Sequence, residues 1–111
     1  MSLVRVETAH HAGMQASKVS QSRSEVLKLR GQGMAWTDVD GEIVALDEDA
    51  AVYLAANAAG ALLWRALIDG ATRDALAEQL VREYDIPLER AQADTDAFLA
   101  ALDERGLLDA A

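Results

Sequence analysis

The sequence predicts an α+β fold in which three short antiparallel strands precede three helices. Two β-prone runs, residues 34–39 and 42–46, flank an Asp-Gly pair, which is the strongest short-range signal for a hairpin. The hydrophobic period changes at Asn57, after which large apolar residues recur at helical spacing. The chain is therefore expected to form its sheet first and its helices afterwards.

Composition limits the class of protein. A chain of 111 residues without cysteine suits one small domain and rules out disulfides, thiolate-bound zinc and thiol catalysis. Residues 1–30 carry a net charge of +3, whereas residues 31–111 carry −12. Because an anionic body repels a phosphate backbone, we expect a basic or neutral partner and no nucleic acid. No apolar run suits a signal peptide or a membrane span, so we expect a cytoplasmic protein without a membrane partner.

The N-terminal part shows no sustained hydrophobic period. Residues 1–24 are predicted to form a flexible arm, and residues 25–111 the folded domain. His10 and His11 are adjacent, a spacing that does not place two ligands on one face, and we expect neither a metal nor a cofactor. Residues 25–30 are predicted to be extended.

The strands are predicted from the hairpin outwards. Asp40-Gly41 suits a type I′ turn, because that turn needs positive φ at both central residues. Acidic turn residues 47–49 then lead into a third strand at residues 50–54. A three-stranded meander is too small to stand alone, so helices are expected to cover one face.

Three helices are predicted to supply that cover, at residues 58–68, 73–84 and 88–104. Asn57 and Thr72 precede the first two as N-cap candidates, and Pro87 separates the second from the third. The predicted inward faces are Leu76, Ala77, Leu80, Val81 and Tyr84 of the second helix and Ala91, Thr95, Phe98, Leu99 and Leu102 of the third. This order of a small sheet and three helices is that of a winged helix-turn-helix domain.

Over residues 34–108 these segments resemble the PqqD family, whose members are also called RiPP recognition elements. The most specific part is an Asn-x-x-Gly-x-x-x-Trp signature at Asn57, Gly60 and Trp64, combined with the closing residues Phe98-Leu99 and 105–108. The residues themselves favour structural roles for the signature: Asn57 as a helix cap, Gly60 as a close helix-to-sheet contact and Trp64 as a core residue.

The resemblance implies a peptide-binding function in natural product biosynthesis. A member of this family acts as a peptide chaperone: the leader of a ribosomally made precursor adds as a strand beside the third strand and lies against the third helix. Tyr53 is the aromatic residue that we expect to contact this peptide. The expected peptide-binding residues are Asp49, Ala50, Ala51, Val52, Tyr53 and Leu54 on the strand and Ala93, Asp96, Ala97, Ala100, Asp103 and Glu104 on the helix.

The expected partners are a precursor leader and a modifying enzyme such as a radical-SAM maturase, a peptidase or a cyclase. The acidic face of the third helix would favour a basic leader. No catalytic residue is expected, because both histidines lie in the arm and the carboxylates are spread over helix surfaces. Two alternatives stay open. One is a winged-helix DNA-binding regulator, against which the acidic third helix argues. The other is a self-associating structural module, since an uncovered strand also pairs with its own copy to form a homodimer.

Overall fold

The computed structural model describes residues 4–8, 25–29, 34–47 and 52–110. The elements in chain order are β1 (Val4–Thr8), β2 (Val26–Leu29), β3 (Met34–Val39), β4 (Glu42–Asp47), β5 (Val52–Ala56), α1 (Ala58–Asp69), β6 (Ala71–Thr72), α2 (Arg73–Tyr84), α3 (Leu88–Glu104) and β7 (Leu108–Ala110). The predicted α+β class is confirmed.

The predicted hairpin joins β3 to β4. Asp40 and Gly41 have φ of 54° and 86°, the two positive values that the predicted turn requires. Register runs from Met34 opposite Asp47 to Val39 opposite Glu42. Strand β5 then pairs antiparallel with β4, which completes the predicted meander.

Two sheets are present among the described residues. The larger has the strand order β1-β5-β4-β3, so a fourth strand lies beyond the predicted meander. The smaller has the order β6-β2-β7, and the predicted extended piece forms its central strand. Because α1 contacts both β4 and β2, it links the two sheets.

Helix caps and a shared core hold α1, α2 and α3 in place. Asn57 accepts a hydrogen bond from the Gly60 amide at 3.0 Å, and Thr72 accepts one from the Ala75 amide at 3.1 Å, as predicted. All five predicted inward residues of α3 are buried, and Leu107 and Leu108 close the core behind it. Tyr84 is the exception among the predicted inward residues of α2: it is 45% exposed, because it stands in the last turn, at the rim of the core.

Two predicted boundaries differ from the structure. The predicted arm contains β1, because an alternating Val-Arg-Val-Glu-Thr run of five residues is enough to pair with an open strand edge. The third strand continues to Ala56 instead of ending at Leu54, because Ala55 and Ala56 stay in register with Val44 and Ile43 up to the helix cap. Alanine has little strand preference of its own, so pairing decides the boundary.

An ion pair between Asp38 of β3 and Arg65 of α1 adds a pH-dependent contribution to the stability of the fold. The Arg65 hydrogen bond, and then the 2.9 Å bond from the Gly41 amide, lower the pKa of Asp38 below its usual 3.8. A lowered folded-state pKa stabilises the fold above the unfolded-state pKa, and that stabilisation disappears as pH falls through the folded-state pKa. We expect Asp38→Asn to lower the free energy of unfolding at neutral pH and to match the native chain well below pH 3.8.

Urea denaturation at several pH values measures this difference. Asp40→Asn is the matched control, because Asp40 occupies the same exposed turn and asparagine tolerates its positive φ. An equal loss of stability in both variants would contradict the assignment.

Candidate functional site

The strand edge that was expected to stay open is paired. Strand β5 has β4 on one side and β1 on the other, with β1 antiparallel to it from Val4 opposite Ala56 to Thr8 opposite Val52. The prediction of an uncovered third strand is therefore wrong for this structure. The chain supplies the added strand from its own N-terminal segment.

Strand β1 lies in the space between β5 and α3, here called the β5–α3 cleft and defined by residues 52–56 and 88–104. Cα atoms of β1 lie within 8 Å of Cα atoms of α3 and of β5. An extended segment thus fits this cleft with its backbone paired to β5. This is the geometry in which a peptide adds to an exposed sheet edge.

The strand residues predicted to bind peptide fall into three groups. Asp49, Ala50 and Ala51 lie outside the described residues, and so do the side chains of Val52 and Tyr53, whose backbone is paired on both sides. Leu54 differs from the prediction, because its side chain is 1% exposed and belongs to the core. It stands opposite the buried Ala45, on the covered face of the sheet, so only its backbone faces β1.

The helix residues predicted to bind peptide lie on the surface of α3. Ala93, Ala97, Ala100 and Glu104 are exposed, while Asp96 and Asp103 are partly buried. Asp96 is hydrogen-bonded to Arg73, the first residue of α2, at 3.3 Å. Arg73 is only 3% exposed, so this carboxylate faces a buried guanidinium. Asp96 therefore lies on the side of α3 that faces α2.

A second pair of charges lies further around α3, near the C-terminal end of α2. Asp94 is two residues from Asp96, which places it about 200° further around the helix. Its carboxylate lies 3.7 Å from the guanidinium of Arg90, and its side chain is 17% exposed. Arg90 and Asp94 line the same pocket as Asn57, the residue that follows β5.

A pocket of about 370 Å³ opens here, called the terminal pocket below. Its lining combines apolar side chains with Glu42 of β4, Asn57 and the Arg90–Asp94 pair of α3. The lining residues are Glu42, Asn57, Ala58, Ala59, Leu80, Tyr84, Ile86, Arg90 and Asp94. A few polar groups around an apolar cavity are typical of a site that accepts a side chain or small ligand.

The terminal pocket adjoins one end of the β5–α3 cleft. Asn57 and Ala58 directly follow Ala56, the β5 residue opposite the first residue of β1. None of its lining residues was predicted to bind peptide, because its walls come from four separate segments. The position of Tyr84 one helical turn after Leu80 was the one available signal, and it was interpreted as core.

Two of the three signature residues, Asn57 and Trp64, have the structural positions that were predicted for them. Asn57 caps α1, and Trp64 is fully buried, with its ring centroid 6.1 Å from that of Trp36 in an edge-on arrangement. Gly60 is also buried and donates its amide hydrogen to the Asn57 cap.

None of the helices in the described part of the chain is long and apolar enough to cross a membrane.

The sequence matches one protein-family model. Residues 42–108, well over half of the chain, match the model of the family described as coenzyme PQQ synthesis protein D. No curated protein matches the sequence significantly.

Two solved structures have a similar fold. One is a lasso peptide synthetase B1 complexed with the leader peptide, which is 28% identical and has a TM-score of 0.66 over 75% of this chain and 96% of its own. The other is TbiB1 in complex with the TbiA(beta) leader peptide, which is 24% identical and has a TM-score of 0.67 over 74% and 94%.

Proposed function

Because this chain belongs to the PqqD family, we propose that it binds the leader of a ribosomally made precursor peptide and presents it to a modifying enzyme without catalysing a reaction itself. The similar lasso peptide synthetase B1 was solved with a leader peptide bound. The modifying enzyme is of the kind that acts on such precursors, such as a radical-SAM maturase, a peptidase or a cyclase.

One observation carries the proposal: an extended segment already lies in the β5–α3 cleft. Its backbone pairs with β5 at five consecutive positions and approaches α3. A leader in the same place would gain the same main-chain hydrogen bonds, which are independent of its sequence. Residues 52–56 thus remain the proposed docking edge, extended by Ala55 and Ala56 beyond the sequence prediction.

Selectivity is proposed to come from the terminal pocket. A leader strand antiparallel to β5, as β1 is, passes Ala56 and continues with its preceding residues towards Asn57 and Ala58. An apolar leader side chain would bury itself against Leu80, Ile86 and Tyr84, which is how a few anchors supply most of the binding energy at an interface. The net charge of −12 over residues 31–111 would favour a basic leader.

The proposal predicts a map of the contact surface. We expect the leader of a short precursor encoded beside this gene to shift amide resonances of residues 52–56, of residues 57–59 and of the first half of α3. The reason is that strand addition changes the hydrogen bonding of β5 while an anchor changes the surroundings of the pocket. A titration followed by two-dimensional amide NMR measures this.

The control peptide has the same composition in scrambled order, so that charge attraction alone produces no localised shifts. Shifts confined to residues 93, 97, 100 and 104 would place the leader on the outer face of α3 instead. The absence of any shift with the native leader would contradict the function.

A further inference from the structure

We propose that β1 is a built-in competitor of the leader: the chain's own N-terminal strand occupies the leader site and must leave before a leader can bind. The inference rests on the proposed function and adds regulation to the same site. In the structure β5 is paired on both edges, so a further strand has no open edge on β5 while β1 remains in place.

Occupation by β1 is an intramolecular equilibrium. Residues 9–25 connect β1 to β2, and a tether of this length holds a segment at an effective concentration on the order of millimolar. A leader therefore competes with a neighbour that is always present. Its apparent affinity equals its intrinsic affinity multiplied by the fraction of molecules in which the edge of β5 is free.

The terminal pocket gives the leader a way to win this competition. The strand pairing of β1 begins at Val4, opposite Ala56, and the pocket lies beyond that position. A leader that pairs with β5 and also places an apolar side chain among Leu80, Tyr84 and Ile86 gains contacts additional to strand pairing. Peptides that offer only strand pairing gain no such advantage over β1. The arrangement thus raises discrimination between leaders and arbitrary extended peptides.

Charge supports the same placement. Residues 1–24, which hold β1 and precede β2, carry a net charge of +2 and the remainder −11, so this segment is attracted to the body that holds the cleft, while β1 itself is neutral with Arg5 and Glu7. A basic leader and the N-terminal segment would therefore compete through the same electrostatic attraction as well as for the same backbone edge.

The first test releases β1 in the full-length protein with Arg5→Pro/Val6→Pro. In an antiparallel strand consecutive N–H groups point to opposite sides, so one of these two prolines removes a hydrogen bond to β5. The probe is a fluorescein-labelled synthetic peptide of residues 2–10 of this chain, measured by fluorescence anisotropy. We expect it to bind the variant about tenfold or more tightly than the native chain, because the intramolecular competitor is gone. Equal binding would overturn the inference.

The second test locks β1 in place with Arg5→Cys/Ala55→Cys. These residues are register partners, their Cα spacing in an antiparallel pair suits a disulfide, and the chain has no other cysteine. We expect the oxidised protein to lose binding of both the probe and the neighbouring precursor's leader, and a reductant to restore it. The two single-cysteine variants are the controls. Leader binding by the oxidised, internally crosslinked protein would overturn the inference, as would crosslinks that form only between chains.

Failure of the proposed function has a separate readout. In the proline variant the edge is free, so a leader that binds there displaces the labelled probe. If the probe binds tightly and no leader displaces it, the self-occupied edge stands while leader binding fails as the function. If the leader displaces the probe equally well from the native chain and the proline variant, leader binding stands and the competitor role is overturned.

Discussion

Trp64→Ala should lower the free energy of unfolding by about 3–5 kcal/mol, the range for truncating a buried aromatic side chain. Trp64 is fully buried in α1 and packs edge-on against Trp36 of β3. It therefore sits where the helix that follows β5 meets the sheet. Since small domains are stable by only about 5–15 kcal/mol, the variant is expected to be close to unfolding and to lose peptide binding with its fold. Urea denaturation followed by far-UV circular dichroism measures the change.

The matched control is Trp36→Ala, at the other ring of the same pair. Trp36 is 42% exposed, so its truncation leaves a site open to water and forfeits mainly the ring contact, worth about 1 kcal/mol. The expected order of stability is native, then Trp36→Ala, then Trp64→Ala. If both variants lost the same stability, Trp64 would not be the core residue that its burial indicates.

The fold could largely be predicted from the sequence because its decisive signals are local. Asp40-Gly41 specifies the hairpin through backbone φ, and Asn57 and Thr72 specify helix starts through side-chain caps, as the hydrogen bonds confirm. The bounds of α3, Leu88–Glu104, match the prediction because Pro87 and Gly106 flank a regular apolar period. Each of these features depends on residues within about one helical turn of each other.

The additional strand could not be predicted in this way. Strand β1 pairs with residues some fifty positions away, and nothing in Val4–Thr8 alone distinguishes a strand partner from a solvated tail. Its formation depends on the free hydrogen-bonding edge that β5 offers after the meander has formed. The free edge of β5 would attract the proposed leader for the same reason that it pairs with the chain's own N-terminal segment.

The contacts of the charged residues of α3 could not be predicted either, because charge on a helical wheel does not say which neighbour it meets. Asp96 bonds the buried Arg73 of α2, a contact that the helical wheel did not indicate, while its own side chain stays 46% exposed. Asp94, two residues earlier, lines the terminal pocket instead. The peptide-binding roles of Ala93, Asp96, Ala97, Ala100, Asp103 and Glu104 stay predictions.

Filling the terminal pocket tests which side of α3 a leader contacts: the side that lines the pocket or the exposed face that carries Ala100. Ala58→Phe places an aromatic ring at an exposed position that lines the pocket, the first residue of α1. Because an interface anchor typically contributes 2 kcal/mol or more, we expect leader binding to weaken at least about tenfold, whereas helix propensity costs only about 0.5 kcal/mol of stability. Isothermal titration calorimetry with the precursor leader measures the affinity, and thermal unfolding confirms that the fold is retained.

Ala100→Phe is the matched control, the same change at an exposed alanine on the face that the sequence predicted. If the pocket holds an anchor, Ala58→Phe weakens binding and Ala100→Phe does not, since Ala100 is not among the pocket-lining residues. The reverse result would assign the leader to the outer face of α3 and remove the pocket from the site. A labelled peptide of residues 4–10 starts at the position opposite Ala56 and so depends on strand pairing with β5 alone; its binding to an Ala58→Phe variant of the proline-released chain should be unchanged. If an anchor lies beyond the end of β1, Ala58→Phe must weaken binding of the leader and leave binding of the self-peptide unchanged.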